Sequence, residues 1–235
     1  MVDLKGPTGV YVDYKFGVEC RLNMKVELID KMGSDLSVVN AARVSFGKEH
    51  TKMTDGDTKL INYLATHGHW SPFSHAMLQF RISAPIFVAR QLVKHQVGLG
   101  WNEISRRYVD DDPEYYWPTV WRGKPEDKKQ GSSEEAITWL DRNMRVGSAV
   151  QEVYELADET YKRMLNAGIC PEQARMVLPQ SAYTSWFWSG SLYAFARVCN
   201  LRCKEDAQEE TRELAWLIDE YAKLAFPVSW KALRD

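Results

Sequence analysis

The sequence predicts an α+β (mixed α/β) fold: a single domain with a mainly antiparallel sheet flanked by long helices. Three observations predict it. Strand-like segments at 24–33, 76–83 and 183–191 are interleaved with segments whose apolar residues recur three and four apart, the helix period. Hydrophobic residues are 45% of the chain and aromatics 12%, which supports a core in 235 residues. No internal repeat or low-complexity linker interrupts the pattern, so one domain is expected over 1–235.

The elements follow in order. Residues 1–22 contain Gly6, Pro7, Gly9 and Gly17 and suggest an irregular arm or a short hairpin. MKVELIDKMG (24–33) alternates and then turns, as a strand does. Asp35 or Ser37 is placed to cap a helix through VVNAARVSF, and Leu60, Ile61, Leu64 and Ala65 mark a second helix ending in the loop HGHWSPFSH. AMLQFRIS (76–83) opposes Leu78, Phe80 and Ile82 to Met77, Gln79 and Arg81. Ser83 and Pro85 then suggest the start of a helix PIFVARQLVKHQV that stops at Gly98 and Gly100. A polar, proline-bearing surface excursion is expected at about 109–134. From Glu134 to Ala167 an amphipathic stripe runs through Ile137, Leu140, Met144, Val146, Val150, Val153 and Leu156, with Gly147 weakening it. Pro171 opens a short helix, YTSWFWSGS (183–191) is a strand, SLYAFARVCNLR is a helix, and Glu205 to Leu224 is a long terminal helix.

The net charge of −2 argues against a general polyanion binder, so no nucleic-acid partner is expected. Cys20, Cys170, Cys199 and Cys203 contain no CxxC pair and no histidine pattern that completes a zinc site; free buried thiols in a reducing cytosol are expected and no metal. No window approaches a membrane span and the N-terminus lacks a signal-peptide pattern, which suggests a cytoplasmic protein.

The densest chemistry lies in KHQVGLGWNEISRRY (94–108). Read as helix, Gln91, Lys94 and His95 share a face that can offer amide edges, a charge and a ring to a phosphorylated base; a solvated polar face is the plain alternative. Gly98 and Gly100 allow close backbone approach. Glu103, Ser105, Arg106 and Arg107 add acceptors and guanidinium forks, against the alternative of internal Glu–Arg pairing. If this part is extended, only one of the two arginines easily faces a ligand. Arg175, Arg197 and Arg202 form a later cationic set that surface acids would equally explain.

These strings resemble the flavin-dependent thymidylate synthase family, whose signature reads RHRxxSxNExSxRY. His95, Asn102, Glu103, Ser105, Arg107 and Tyr108 match it; Lys94 and Gln96 replace its arginines, its first serine is missing, and one residue is added between His95 and Asn102. AARVSF (41–46), LATHGHWSPFSH (64–75), PIFVARQ (85–91), ARMVLP (174–179) and NLR (200–202) resemble family segments in the same order. The resemblance implies a homotetramer with shared active sites, FAD held between subunits, that methylates dUMP at C5. Methylene-tetrahydrofolate would be the carbon donor, NADPH the reductant and FAD the cofactor, with no cysteine nucleophile. It implies dUMP contacts at Gln91, Lys94, Glu103, Ser105, Arg107 and Arg202, with Arg175 supplied from a neighbouring subunit and Arg202 catalytic through the uracil N3. It implies FAD contacts at Ser71, Lys94, His95, Gln96 and Glu103, with Ser191, Tyr193 and Arg197 on the late helix, and places His69 near flavin and folate. A nucleotide-binding NADPH oxidase or reductase, or a non-catalytic nucleotide or RNA module using Trp101, Tyr108 and Trp117, are the alternatives.

Overall fold

The computed structural model describes residues 11–12, 20–21, 24–126 and 131–235. Along the first half lie strands β1 (Tyr11–Val12), β2 (Cys20–Arg21) and β3 (Lys25–Met32), helices α1 (Asp35–Arg43) and α2 (Asp55–Thr66), strand β4 (Met77–Pro85), helix α3 (Ile86–Leu92) and strand β5 (Leu99–Glu103). Strand β6 (Tyr115–Tyr116) follows, then helices α4 (Val146–Asn166) and α5 (Pro171–Ala174), strand β7 (Tyr183–Ser191), and helices α6 (Leu192–Arg202), α7 (Glu209–Ala225) and α8 (Pro227–Arg234). No helix among the described residues is long and apolar enough to cross a membrane.

The class is α+β, as the alternation predicts. The four-stranded sheet has the order β3-β4-β7-β5. Leu192 N donates to Ala76 O (2.8 Å) and Ile86 N to Ala182 O (2.9 Å), so β4 and β7 run in opposite senses. Ser191 N to Gly98 O (3.2 Å) and Ile104 N to Ser185 O (2.9 Å) do the same for β7 and β5. In the smaller sheet β1 pairs antiparallel with β2, as in the hairpin reading of the arm, and β2 pairs parallel with β6.

The chain divides into two compact units. The first contains β1, β2, α3, β6, α4 and α5, within the described residues of 1–25, 83–92 and 103–186. Its core joins Tyr115, Tyr154 and Ala182, with Ile86, Trp117, Val150 and Leu178 packed against them. Tyr115 and Tyr154 stack at 4.8 Å, and Tyr154 Oη donates to Tyr116 O (3.0 Å). The second unit covers 26–82, 93–102 and 187–235 and contains α1, α2, α6, α7 and α8. Leu78 and Phe80 of β4, Trp188 of β7 and Phe195 of α6 are fully buried there, with Phe195 edge-on to Phe80 (5.1 Å) and Trp188 (5.2 Å).

Side chains satisfy the starts of α2 and α8 in the second unit. Thr54 caps α2 in a capping box with Asp57. Asp57 is fully buried and accepts from Arg43 (2.7 Å), His50 (2.8 Å) and Thr54 Oγ1 (2.8 Å). Burial favours its neutral form, but these hydrogen bonds win and hold the carboxyl far below its ordinary range. Asp35 accepts from Val228 N (3.1 Å) and Ser229 N (2.8 Å) and so caps α8 from a distance in sequence.

Several expected elements differ. The cap of α1 is Ser34, whose backbone N–H is answered by Ser37 Oγ (3.0 Å); Asp35 is spent on α8. Ser83 and Pro85 belong to β4, and α3 ends at Leu92, so Lys94 and His95 are not on one helix face with Gln91. The chain instead turns at Gln96–Leu99, where Gly98 has φ +78°, and enters β5, an unexpected strand. Residues 134–145 are not helical. Asp141 Oδ1 takes the backbone N–H groups of Asn143 (2.7 Å) and Met144 (3.0 Å), and bridges form at Arg122–Ala136 and Trp139–Arg145. Gly147 therefore sits at the start of α4, against Trp117. On α4 the tyrosines 154 and 161 face inward, while Val153 and Leu156 are 56% and 66% exposed. Within the excursion Tyr115 is fully buried. The terminal helix starts at Glu209, and α8 follows it.

Candidate active site

The sequence-predicted residues fall into two clusters, one in each unit. In the second unit, Arg202 ends α6 and its Nε lies 3.0 Å from His95 Nε2. A guanidinium N–H can only donate, so Nε2 accepts and His95 carries its proton on Nδ1. Partial burial first, then the charges of Arg202 and Arg197, push the His95 pKa below 6.5 and keep the ring neutral. Lys94 and Arg197 are exposed, and among the described residues neither they nor Arg202 pair with a carboxylate. Three cations held without an acid make an anion-seeking surface.

Glycine creates this arrangement. A Cβ on Gly98 would lie 3.1 Å from Ala194 Cβ, at a φ that L side chains rarely adopt, and a Cβ on Gly190 would collide with the Gly98 carbonyl. The His95 loop can therefore lie directly on the β7–α6 junction. Ser191 caps α6 by accepting from Ala194 N (3.2 Å). Tyr193 pairs with Trp70 (6.3 Å between centroids), the residue before Ser71. His69 is exposed and edge-on to Tyr63 (5.9 Å), which itself stacks on His67 (4.0 Å). Gln96 is exposed.

In the first unit a cleft of about 320 Å³ is lined by Glu103, Arg106, Arg175, Asp111, Thr184 and Ser185, among others. Thr184 Oγ1 donates to Glu103 Oε1 (2.7 Å) and orients that carboxylate. Ser105–Tyr108 forms a turn, with Tyr108 N bonded to Ser105 O (2.9 Å), instead of an extended segment. Arg106 faces the cleft and donates to Asp111 O (2.9 Å). Arg107 folds back on Ser105 Oγ (3.2 Å) and lies over the Tyr108 ring (5.0 Å). Arg175 Nε donates to Glu172 O (3.3 Å). Gln91 is half-buried at the end of α3. Thr184 and Trp70 were not singled out by the sequence. Strand alternation places Thr184 but carries no sign of its carboxylate partner.

The family model for thymidylate synthase complementing protein matches residues 27–228. The flavin-dependent thymidylate synthase of Kosmotoga olearia is 39% identical over 207 residues, covering 88% of each chain. A flavin-dependent thymidylate synthase of Thermus thermophilus is 38% identical over 215 residues, covering 89% of this chain and 75% of the relative. Among solved structures, the UMP/dUMP methylase PolB of Streptomyces cacaoi bound with 5-Br dUMP superposes with a TM-score of 0.80 at 33% identity, over 92% of this chain and 96% of that one. The chain belongs to the flavin-dependent thymidylate synthase family, and it is an enzyme of that family.

Proposed function

We propose that the enzyme methylates dUMP at C5 to give dTMP, taking the carbon from methylenetetrahydrofolate and two electrons from NADPH, with FAD as cofactor. Tetrahydrofolate and NADP⁺ are the other products. The carrying observation is the Arg202–His95 pair among cations that no acid of the described residues answers, in a chain whose relatives are named flavin-dependent thymidylate synthases.

The residues of the second unit fit a flavin dinucleotide by their chemistry. Lys94 and Arg197 supply charge for a diphosphate, and Ser71 and Gln96 supply hydrogen bonds. The Trp70–Tyr193 pair supplies a face for a flat ring. FAD, when bound, supplies hydride transfer. Arg202 stabilises negative charge at the uracil N3 and its flanking carbonyl, which raises electron density at C5. Neutral His95 holds the guanidinium in direction without competing for the anion. Gln91, Lys94, Ser105 and Arg107 bind the nucleotide together with Arg175 of the partner subunit, and Glu103 is held for it by Thr184.

No cysteine attacks the base in this reading: Cys199 is buried and Cys170 sits on the surface before α5. A homotetramer accounts for the apolar side chains left open to solvent, such as Phe46 and Met176, at 78% and 79% exposure. The free thiols of the described cysteines suit a cytoplasmic enzyme.

Purified protein supplied with FAD, NADPH and methylenetetrahydrofolate should release tritium from 5-tritiated dUMP. Absence of release, with FAD bound, would overturn the reading. NADPH consumption without dTMP would mark an oxidase. The UMP/dUMP methylase neighbours favour a second substrate, UMP, and 5-tritiated UMP tests it in the same assay.

A further inference from the structure

We propose that Cys203 and Cys199 form an oxidisable dithiol, a modification site at which a small-molecule disulfide converts the two thiols into an intramolecular disulfide. The site lies in the second unit, outside the residues assigned above. Cys199 is in the last turn of α6, and Cys203 is its C-cap, donating its N–H to Cys199 O (2.9 Å). Four residues along a helix separate the Cα atoms by about 6 Å, within the span a disulfide bridges. The two sulfurs and a carboxylate oxygen of Asp219 all lie within 4.8 Å of one another. Both thiols are free.

The two sulfurs have unequal surroundings, as a reagent-facing and a resolving thiol require. Cys203 is half-buried and can be reached from solvent; Cys199 is buried, with its sulfur 3.6 Å from Ala215 O. The guanidinium of Arg234 stands beside them, bonded to Asp219 Oδ1 (2.6 Å) and to Asn200. Hydrogen bonding from Cys199, and then Arg234, draw the Cys203 thiol below its ordinary value against its partial burial and Asp219. Burial pushes the Cys199 thiol up. A divalent cation suits the same three side chains less well. Asp219 Oδ1 already accepts from Arg234 and from Trp230 Nε1 (3.1 Å), and a cation would face that guanidinium.

The chemistry balances without the enzyme's own reaction. The Cys203 thiolate attacks one sulfur of a glutathione-type disulfide, whose S–S bond breaks and releases one thiolate. Cys199 loses its proton to solvent and attacks Cys203 of the mixed disulfide, expelling the second thiolate. The protein loses two electrons and two protons, and the reagent gains the electrons and leaves as two thiols. Arg202 lies between the linked residues, so the link tightens the turn that carries it and disturbs its contact with His95. That consequence rests on the proposed role of Arg202.

The experiment incubates the full chain with oxidised glutathione, blocks free thiols and digests with trypsin. Cleavage after Arg197, Arg202 and Lys204 leaves Cys199 and Cys203 on separate peptides, 198–202 and 203–204. The expected result is these two peptides joined, with the mass of two hydrogens lost, and separated again by dithiothreitol. Cys203→Ser should leave Cys199 unmodified, while Cys199→Ala should stop at a glutathione adduct on Cys203. Free thiols throughout, a stable adduct on Cys203 of the unsubstituted protein, or zinc retained by the pair after dialysis would each overturn the proposal. Linked protein should turn dUMP over about tenfold more slowly, as for a displaced charge-stabilising donor, with recovery on reduction. The mass result stands whether or not the protein methylates dUMP, so failure of the dithiol and failure of the proposed reaction are separable.

Discussion

The cations of the second unit differ from those of the first in what answers them. Arg106 donates to Asp111 O, Arg175 to Glu172 O, and Arg107 to Ser105 Oγ while covering Tyr108. Lys94 and Arg197 meet no acid among the described residues, and Arg202 meets only the neutral ring of His95. Neutral oxygens orient a guanidinium without cancelling its charge, so the first set is aimed before any ligand arrives. The second set keeps its charge nearly unanswered, at a cost in self-repulsion that a bound anion would relieve. The stretch 94–108 contains both arrangements, with the change at Glu103.

Arg202→Ala should lower turnover by a barrier of about 2–4 kcal/mol while flavin absorbance is retained; near-normal kcat would remove the distinction between the two sets. Gly98→Ala forces a side chain into a left-handed turn against Ala194. It should cost about 1–2 kcal/mol of stability, seen as a lower Tm, and loosen the His95 loop; an unchanged Tm would show that the turn is not strained. In the first unit, Thr184→Val removes one bond to Glu103. It should cost about 1 kcal/mol, read as a raised KM for dUMP with Tm little changed.

The His95–Arg202 contact also has a pH signature. Protonated His95 cannot accept from Arg202, so turnover should fall as pH drops through a value below 6.5, and His95→Asn should flatten that limb. The unfolded histidine takes its proton at about 6.5 and the folded one only at lower pH, so this residue's contribution declines below 6.5 and levels off under the folded value. Arg106→Ala should have the smallest effect, under about threefold on turnover, because its bond is to a backbone carbonyl at a surface turn. A larger loss would place Arg106 among the substrate contacts and move the boundary between the two sets.

The sequence carried strands β3, β4 and β7 and the helix to Arg202 well, and missed β5 and β6. Strand 183–191 has the expected bounds and the following helix ends at Arg202 as expected, because β4 and β7 place apolar residues on a buried face. It misplaced 134–145, where Ile137, Leu140 and Met144 stand at helical spacing by coincidence and Asp141 turns the chain instead. On α4 two apolar stripes compete, and stacking of Tyr154 on Tyr115 decides between them.

For the site, the sequence by itself determined the inventory: which cations, amides and hydroxyls the chain has, their order, and the family they resemble. Residue types and spacings suffice for that, because they are local. Tertiary structure alone decided their states. α3 stops at Leu92 and Leu99 enters a strand, which frees His95 from the helix. Gly98 and Gly190 then let the loop lie against α6, so that His95 meets Arg202, 107 residues away in sequence. Proton position, buried charge and hydrogen-bond direction depend on such distant partners, and no local pattern encodes them.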